Sequence, residues 1–254
     1  VMWSPVEKTA LAEAEVEYEN ITSTQVDVAF EIVESPIAEL VGAHAVIWTT
    51  TPWTIPVNQA LAYGPEVEYI AVRAADGRVY LLAAELAASF LARSGVAAAS
   101  DGQKPIWQGK GSDLAGTVAR HPMAKFFAAG AASNDSRNPS PEGEGLHTPH
   151  IDPASPLAEF FLRPRPFLPG DFVTTDAGTG LVHMAPDHGE DDFELCKAHG
   201  LNPVFAVEGD GRYRADWAWL GGEGSVINPK FNAPDGPICA DLRAAGALLA
   251  ASAD

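Results

Sequence analysis

The chain has 254 residues, 16 basic against 34 acidic for a formal charge of -18, with 46% hydrophobic and 20% charged residues. That apolar content supports one large domain or two small ones and excludes disorder throughout, which would pair high net charge with low hydrophobicity. No run approaches the roughly 20 apolar residues that a membrane helix requires.

In chain order, Val26, Val28, Phe30 and Ile32 alternate with Asp27, Ala29 and Glu31, which predicts a half-buried strand. Ala43 to Thr51 is a second extended run, ended by Pro52 because proline disfavours helix at the preceding residue and removes a ladder donor. Glu66 to Arg73 and Arg78 to Leu82 flank Ala74-Ala75-Asp76-Gly77, a hairpin turn. Leu82 to Arg93 reads as a helix with Leu86, Phe90 and Leu91 facing inward and Gly95 as its stop.

Ala128 to Pro156 is built of Ala, Gly, Ser, Asn, Pro and Glu with almost no large apolar side chains. It reads as a flexible surface insertion, because it buries too little to offset its ordering entropy. His147 and His150 are expected to be solvated there, and two histidines alone in a mobile loop do not make a metal site. Phe172 to Asp176 and Leu181 to Met184 look extended around Ala177-Gly178-Thr179-Gly180. Asp191 to His199 predicts a short helix with acids in its first turn, and Ile238 to Leu249 a closing helix. Short strands with marginal helices predict a β-rich α+β fold, a barrel-like β core carrying peripheral helices, as a single domain over 1–254.

With only Cys196 and Cys239, neither a disulfide framework nor a four-cysteine zinc site holds the chain, and a reducing, cytoplasmic setting fits. Val1 to Pro5 lack the features of a secretory signal, and the sequence opens in mid-pattern, as an excised piece would. A nucleic-acid binder needs clustered Lys and Arg to displace counterions. The densest basic spot is Arg163-Pro-Arg165, so any RNA grip must come mostly from elsewhere.

Two stretches carry chemistry. Trp48-Thr49-Thr50-Thr51-Pro52-Trp53-Thr54-Ile55-Pro56-Val57-Asn58 sets three hydroxyls at a strand end, suited to a ribose diol, an ester carbonyl or a positioned water. A β-branched strand end with an Asn turn explains the same residues. Asp176-Ala177-Gly178-Thr179-Gly180-Leu181-Val182-His183-Met184-Ala185-Pro186-Asp187-His188-Gly189-Glu190-Asp191-Asp192 sets His183 after a glycine turn and carboxylates at a helix start. There the dipole favours the ionised form, ready for an ammonium group. Helix capping by Asp191 and Asp192, with His183 as a satisfied core histidine, is the alternative. His183, His188 and Asp192 match no metal-ligand spacing, and Cys196 with His199 is discounted as a nucleophile pair because Cys196 faces the core. Serine-elbow and P-loop signatures are absent.

Together these stretches resemble the editing domain inserted into isoleucyl-tRNA synthetases. Trp48-Thr49-Thr50-Thr51-Pro52-Trp53-Thr54 with Pro56 and Asn58 matches one family motif, and Gly178-Thr179-Gly180, His183, Ala185-Pro186, His188-Gly189 and Asp191-Asp192 the other. Ser4-Pro5-Val6-Glu7-Lys8-Thr9-Ala10-Leu11 through Tyr18 is similar to the lead-in from the catalytic body. The resemblance covers the chain apart from 128–156; Thr51 stands where valyl and leucyl relatives usually carry arginine. His-Ile-Gly-His and Lys-Met-Ser-Lys-Ser, the aminoacylation signatures, do not occur.

The resemblance implies the fold of the class I Val/Ile/Leu-tRNA synthetase editing domain and hydrolysis of valyl-tRNA(Ile), with valyl-adenylate a further candidate substrate. One methylene in an apolar pocket is worth only about 1–3 kcal/mol, a general limit of which this enzyme class is itself the usual example; a second, smaller pocket then removes the valyl ester. The resemblance implies that Asp192 binds the α-ammonium group and that His183, with Thr51 and Thr54, limits the side-chain pocket. Thr49, Thr50 and Asn58 would hold the ribose, the ester carbonyl or the attacking water, and Trp48 packs nearby. It further implies no cofactor or metal, no strong general base, the tRNA(Ile) 3' end and the rest of the synthetase as partners, no membrane, and a monomer. A non-catalytic module for aminoacyl-adenosine ends and a metal-dependent hydrolase are the competing classes.

Overall fold

The computed structural model describes residues 2–99, 104–130 and 147–253. Its centre is a curled mixed sheet. The longest strand, β3 (Thr24–Glu34), pairs antiparallel with β4 (His44–Thr49) on one side. Its other side is shared in succession by β12 (Leu248–Ala253) and β9 (Val118–Arg120). From β4 the sheet continues through β7 (Val79–Ala83) and β6 (Glu68–Arg73) to β8 (Trp107–Lys110). From β9 it continues through β10 (Pro164–Pro169) and β5 (Ala60–Tyr63) to β11 (Leu181–Met184).

The β10–β5 and β4–β7 pairs are parallel and the others antiparallel. The sheet curls so that β11 comes back beside β4, and Ala83 N donates to Thr179 O across the gap. The core is therefore barrel-like without closing into a hydrogen-bonded barrel. A two-stranded ribbon, β1 (Trp3–Ser4) and β2 (Thr9–Ala10), lies apart from it, tied down by Trp3 Nε1 donating to Gly209 O.

The expected alternation in β3 holds for Val26, Val28, Phe30 and Ile32, all fully buried. The opposite face is open to water only in part: Glu31 is exposed, while Asp27 and Ala29 are covered. Ala29 packs there with Val46, Tyr80, Leu82 and Phe90, the last from α1 (Ala87–Ser94). Asp27, 1% exposed, is tolerated because Arg93 of α1 holds both its carboxylate oxygens at 2.7 and 2.8 Å.

Three expected elements differ. Leu82 belongs to β7, and α1 begins only after a 3-10 turn at Ala84–Leu86. Phe172 to Asp176 is not extended: Val173 N bonds back to Gly170 O in a turn, and the segment has no strand to pair with. The closing helix stops early, as α6 (Pro237–Ala244). The chain turns at Gly246, φ +68°, and enters β12, because the open edge of β3 offers Leu248–Ala253 a ladder.

The 128–156 segment divides. Residues 131–146 lie outside the described residues, so the flexible-insertion reading of that part stays an expectation. Its flanks are built into the fold: Gly130 ends α2 (Ala124–Gly130), and Asp152 N donates to Ala218 O beside an Ile151–Trp219 bridge. The main core gathers Phe160 and Phe161 of α3 (Glu159–Leu162) with Trp217 and Trp219. Arg165, half of the densest basic spot, is 1% exposed and donates to Phe160 O and Arg163 O, its pKa lowered by burial to about 9.

Candidate functional site

The first motif leaves β4 at Thr49 and enters a 3-10 helix, Pro52–Val57, with Pro52 at its first position where no N–H is needed. The second comes from β11 and from α4 (Glu190–Ala198). Because β11 returns beside β4, the two motifs meet. A cleft of about 220 Å³ is lined by Trp48, Thr49, Thr51, Thr54, His183 and Asp192, with Val182, Ala185, His188 and Gly189 completing it.

Hydrogen bonds join the two sides. The Thr54 hydroxyl donates to Thr51 O at 2.8 Å, so its oxygen is free to accept from His183 Nε2 at 2.9 Å. That assigns the ring proton of His183 to Nε2. Its buried Nδ1 has no hydrogen-bond partner among the described residues. Burial, with His188 nearby, lowers the pKa of His183 to about 4, leaving the ring neutral at neutral pH. Thr49 Oγ1 lies 3.0 Å from Thr51 Oγ1 and accepts from Thr51 N, so the threonines form one hydroxyl cluster.

Asp192 is the third residue of α4, and its Oδ2 accepts from Ala185 N at 2.7 Å. At the helix start the dipole favours the ionised form, whereas burial raises the pKa above the usual carboxylate value, and Asp191 adds to the rise, against the Ala185 bond. Gly189 precedes the helix because a Cβ there would stand 2.9 Å from the Asp192 carboxyl. Gly180, at φ +75°, turns the chain into β11 where a Cβ would meet that of Ala83 at 2.4 Å.

Two expected site residues lie elsewhere. Asn58 is wholly buried and donates to Ala60 O; it fixes the entry into β5 and does not line the cleft. Thr50 is exposed on the bend after β4 and does not line it either. His188 lines the cleft, stacks edge-on against Trp53 at 4.8 Å and has its pKa lowered by burial. It stands outside the roles that the family resemblance implies, although its place between Pro186 and the helix start marks it in the sequence. Cys196 is buried and its thiol pushed up to about 12, so it stays a thiol.

A wider cleft, about 540 Å³, is lined by Glu66, Glu68, Glu85 and Asp171 among others. Its lining gathers carboxylates, of which Glu66 is paired with Lys110, and no residue of either motif belongs to it. The cleft shared by the two motifs therefore carries the functional reading.

Comparison with known proteins places the chain. It is 55% identical over 253 residues to the isoleucine--tRNA ligase of Zymomonas mobilis, covering 99% of this chain and 23% of that protein. The chain belongs to the isoleucine--tRNA ligase family. The ligase of Gluconobacter oxydans is 43% identical over 228 residues, 85% of this chain and 20% of that one. That of Caulobacter vibrioides is 36% identical over 258 residues, 98% of this chain and 24% of its own length. The chain thus spans about a quarter or less of the ligases it matches.

No family model matches it. Among solved structures, that of GlLeuRS-CP1 covers 70% of this chain and 65% of its own at 14% identity and a TM-score of 0.44. The editing domain of the P. falciparum cytosolic leucyl-tRNA synthetase covers 62% of this chain and 47% of its own at 12% identity and a TM-score of 0.40.

Proposed function

We propose that this part of an isoleucine--tRNA ligase is its proofreading hydrolase, clearing valine from valyl-tRNA(Ile) and, in the same cleft, from valyl-adenylate. The observation that supports this most is the meeting of the threonine cluster, His183 and Asp192 around one cleft. Asp192 receives the α-ammonium group; an arriving positive charge favours the carboxylate and reverses the rise that burial causes. Neutral His183, held by Thr54, walls the side-chain pocket with Thr51, while Thr49 and Trp48 border the ribose and ester.

A water oxygen attacks the ester carbonyl carbon, and the carbonyl electron pair moves onto its oxygen. Collapse breaks the acyl–ribose bond, releasing valine, and the ribose oxygen takes up a proton. Positioning and stabilisation of the oxyanion supply the acceleration. His183, with a pKa of about 4 and its proton committed to Thr54, is a weak base, and the reading requires neither a strong base nor a cofactor. The partners are the valylated tRNA 3' end and the rest of the synthetase, in the cytoplasm, with the ligase as a monomer.

The test is deacylation by the parent ligase. Asp192→Ala is expected to slow hydrolysis of valyl-tRNA(Ile) on the order of a hundredfold with aminoacylation intact, the loss that follows when a buried charge loses its partner. Near wild-type hydrolysis would remove the cleft from the reaction. His183→Ala should expose isoleucyl-tRNA(Ile) to hydrolysis; unchanged resistance would take His183 out of the pocket wall.

A further inference from the structure

The two histidines at the end of the 128–156 segment keep part of their side chains in solvent, as the sequence predicts, but both also meet a buried carboxylate. His147 Nε2 lies 2.5 Å from Asp241 Oδ1, and His150 Nδ1 lies 3.1 Å from the same oxygen. Asp241 projects from α6 and is fully buried, while the two imidazoles keep 38% and 30% of their side chains exposed. None of the three lines the cleft shared by Thr49 and Asp192.

The other carboxylate oxygen is already fixed. Asp241 Oδ2 accepts from Trp219 Nε1 at 2.7 Å and from His150 N at 3.1 Å, which orients Oδ1 toward the rings. On its far side, His150 Nε2 lies 3.6 Å from Glu223 Oε2. A neutral imidazole has one N–H and one lone pair, so one ring nitrogen of His150 can take a cation while the other keeps its proton. With a cation at Nδ1 the lone pair goes to the ion and Nε2–H is left on the side of Glu223, a carboxylate of the kind that orients metal-bound histidines. The three donor atoms all lie within 4.8 Å of one another, so one ion reaches all of them.

We propose that His147, His150 and Asp241 form a binding site for one divalent transition-metal ion of the zinc type. Two imidazoles and one carboxylate are the donor set such ions take, whereas Mg²⁺ and Ca²⁺ favour oxygen alone. Solvent completes the coordination from the exposed side, where His150 and Glu223 border an open cleft of about 330 Å³. The ion clamps the segment that carries His147 and His150 onto α6 and the Trp219 segment. The site is independent of the proofreading reading and stands or falls without it.

The test is calorimetric titration of chelator-stripped, tag-free chain with ZnCl2, alongside Co²⁺ substitution followed by visible absorption. One ion per chain is expected to bind with a dissociation constant of about 1 μM or tighter, raising the melting temperature of the wild-type chain. His147→Ala and His150→Ala should each weaken binding at least about tenfold and abolish the cobalt spectrum. Because Asp241 is buried and its replacement could unfold the chain, the half-exposed histidines carry the test. Absence of saturable binding to the folded wild-type chain would overturn the proposal, as would equal affinity in wild type and both variants, which would put the ion elsewhere.

Discussion

Burial acts in opposite senses on His183 and Asp192: it lowers the pKa of the imidazole and raises that of the carboxyl. For His183 the consequence is a pH-dependent stability. The folded chain holds its pKa at about 4 and the unfolded chain at the ordinary 6.5, so between these values the unfolded state binds more protons. Stability from this residue is complete above pH 6.5 and is lost as pH falls toward 4, amounting to about 3 kcal/mol over that window. His121, wholly buried against Phe161 and Trp219 with its pKa also lowered, acts in the same direction. The raised carboxyl of Asp192 opposes them, since it favours the folded state at low pH. His183→Gln should therefore flatten the rise of urea-unfolding stability between pH 4 and 6.5; an unchanged slope would show that His183 does not titrate across this window.

Among the elements, α1 does more than cover the sheet. Arg93 holds Asp27 through two short bonds and reaches Gly178 O at 3.4 Å, so one side chain links β3 to the glycine turn that feeds β11. Asp27 is buried and Arg93 only 22% exposed, so removing the guanidinium strands a carboxylate inside the fold. Arg93→Ala is expected to cost about 3 kcal/mol in urea unfolding, and the double variant Asp27→Leu/Arg93→Met appreciably less, because an apolar pair leaves no uncompensated charge. Equal losses in the two would mean that Arg93 acts through packing alone.

For the whole molecule, a net charge of -18 opposes a polyanionic partner. Arg165 is committed to backbone carbonyls inside the fold, Arg93 to Asp27, and Lys110 to Glu66 at 2.6 Å. The isolated chain is therefore expected to bind tRNA no more tightly than about 10 μM at physiological salt, within the range of non-specific contacts. Filter binding with tRNA(Ile) measures this, and a submicromolar affinity would contradict it.

The sequence by itself determined the local elements and their chemistry. The alternation of Val26 to Ile32 specified β3, the Ala74 to Gly77 turn specified the β6–β7 hairpin, and the acids before Phe193 marked the start of α4, since these are set by near neighbours along the chain. It also identified the two motifs and most of the residues that line their cleft. Contacts across the fold decided the rest. The edge of β3 converted the expected end of the last helix into β12, an energetic choice visible only when both strands are present. Asn58 and Thr50 fell outside the cleft because Asn58, at the end of the 3-10 helix, turns inward to Ala60 O and Thr50, on the bend after β4, is exposed to solvent. Asp241, ninety-one positions from His150, turned two loop histidines into a ligand set, because separation along the chain places no limit on which side chains a packed interior brings together.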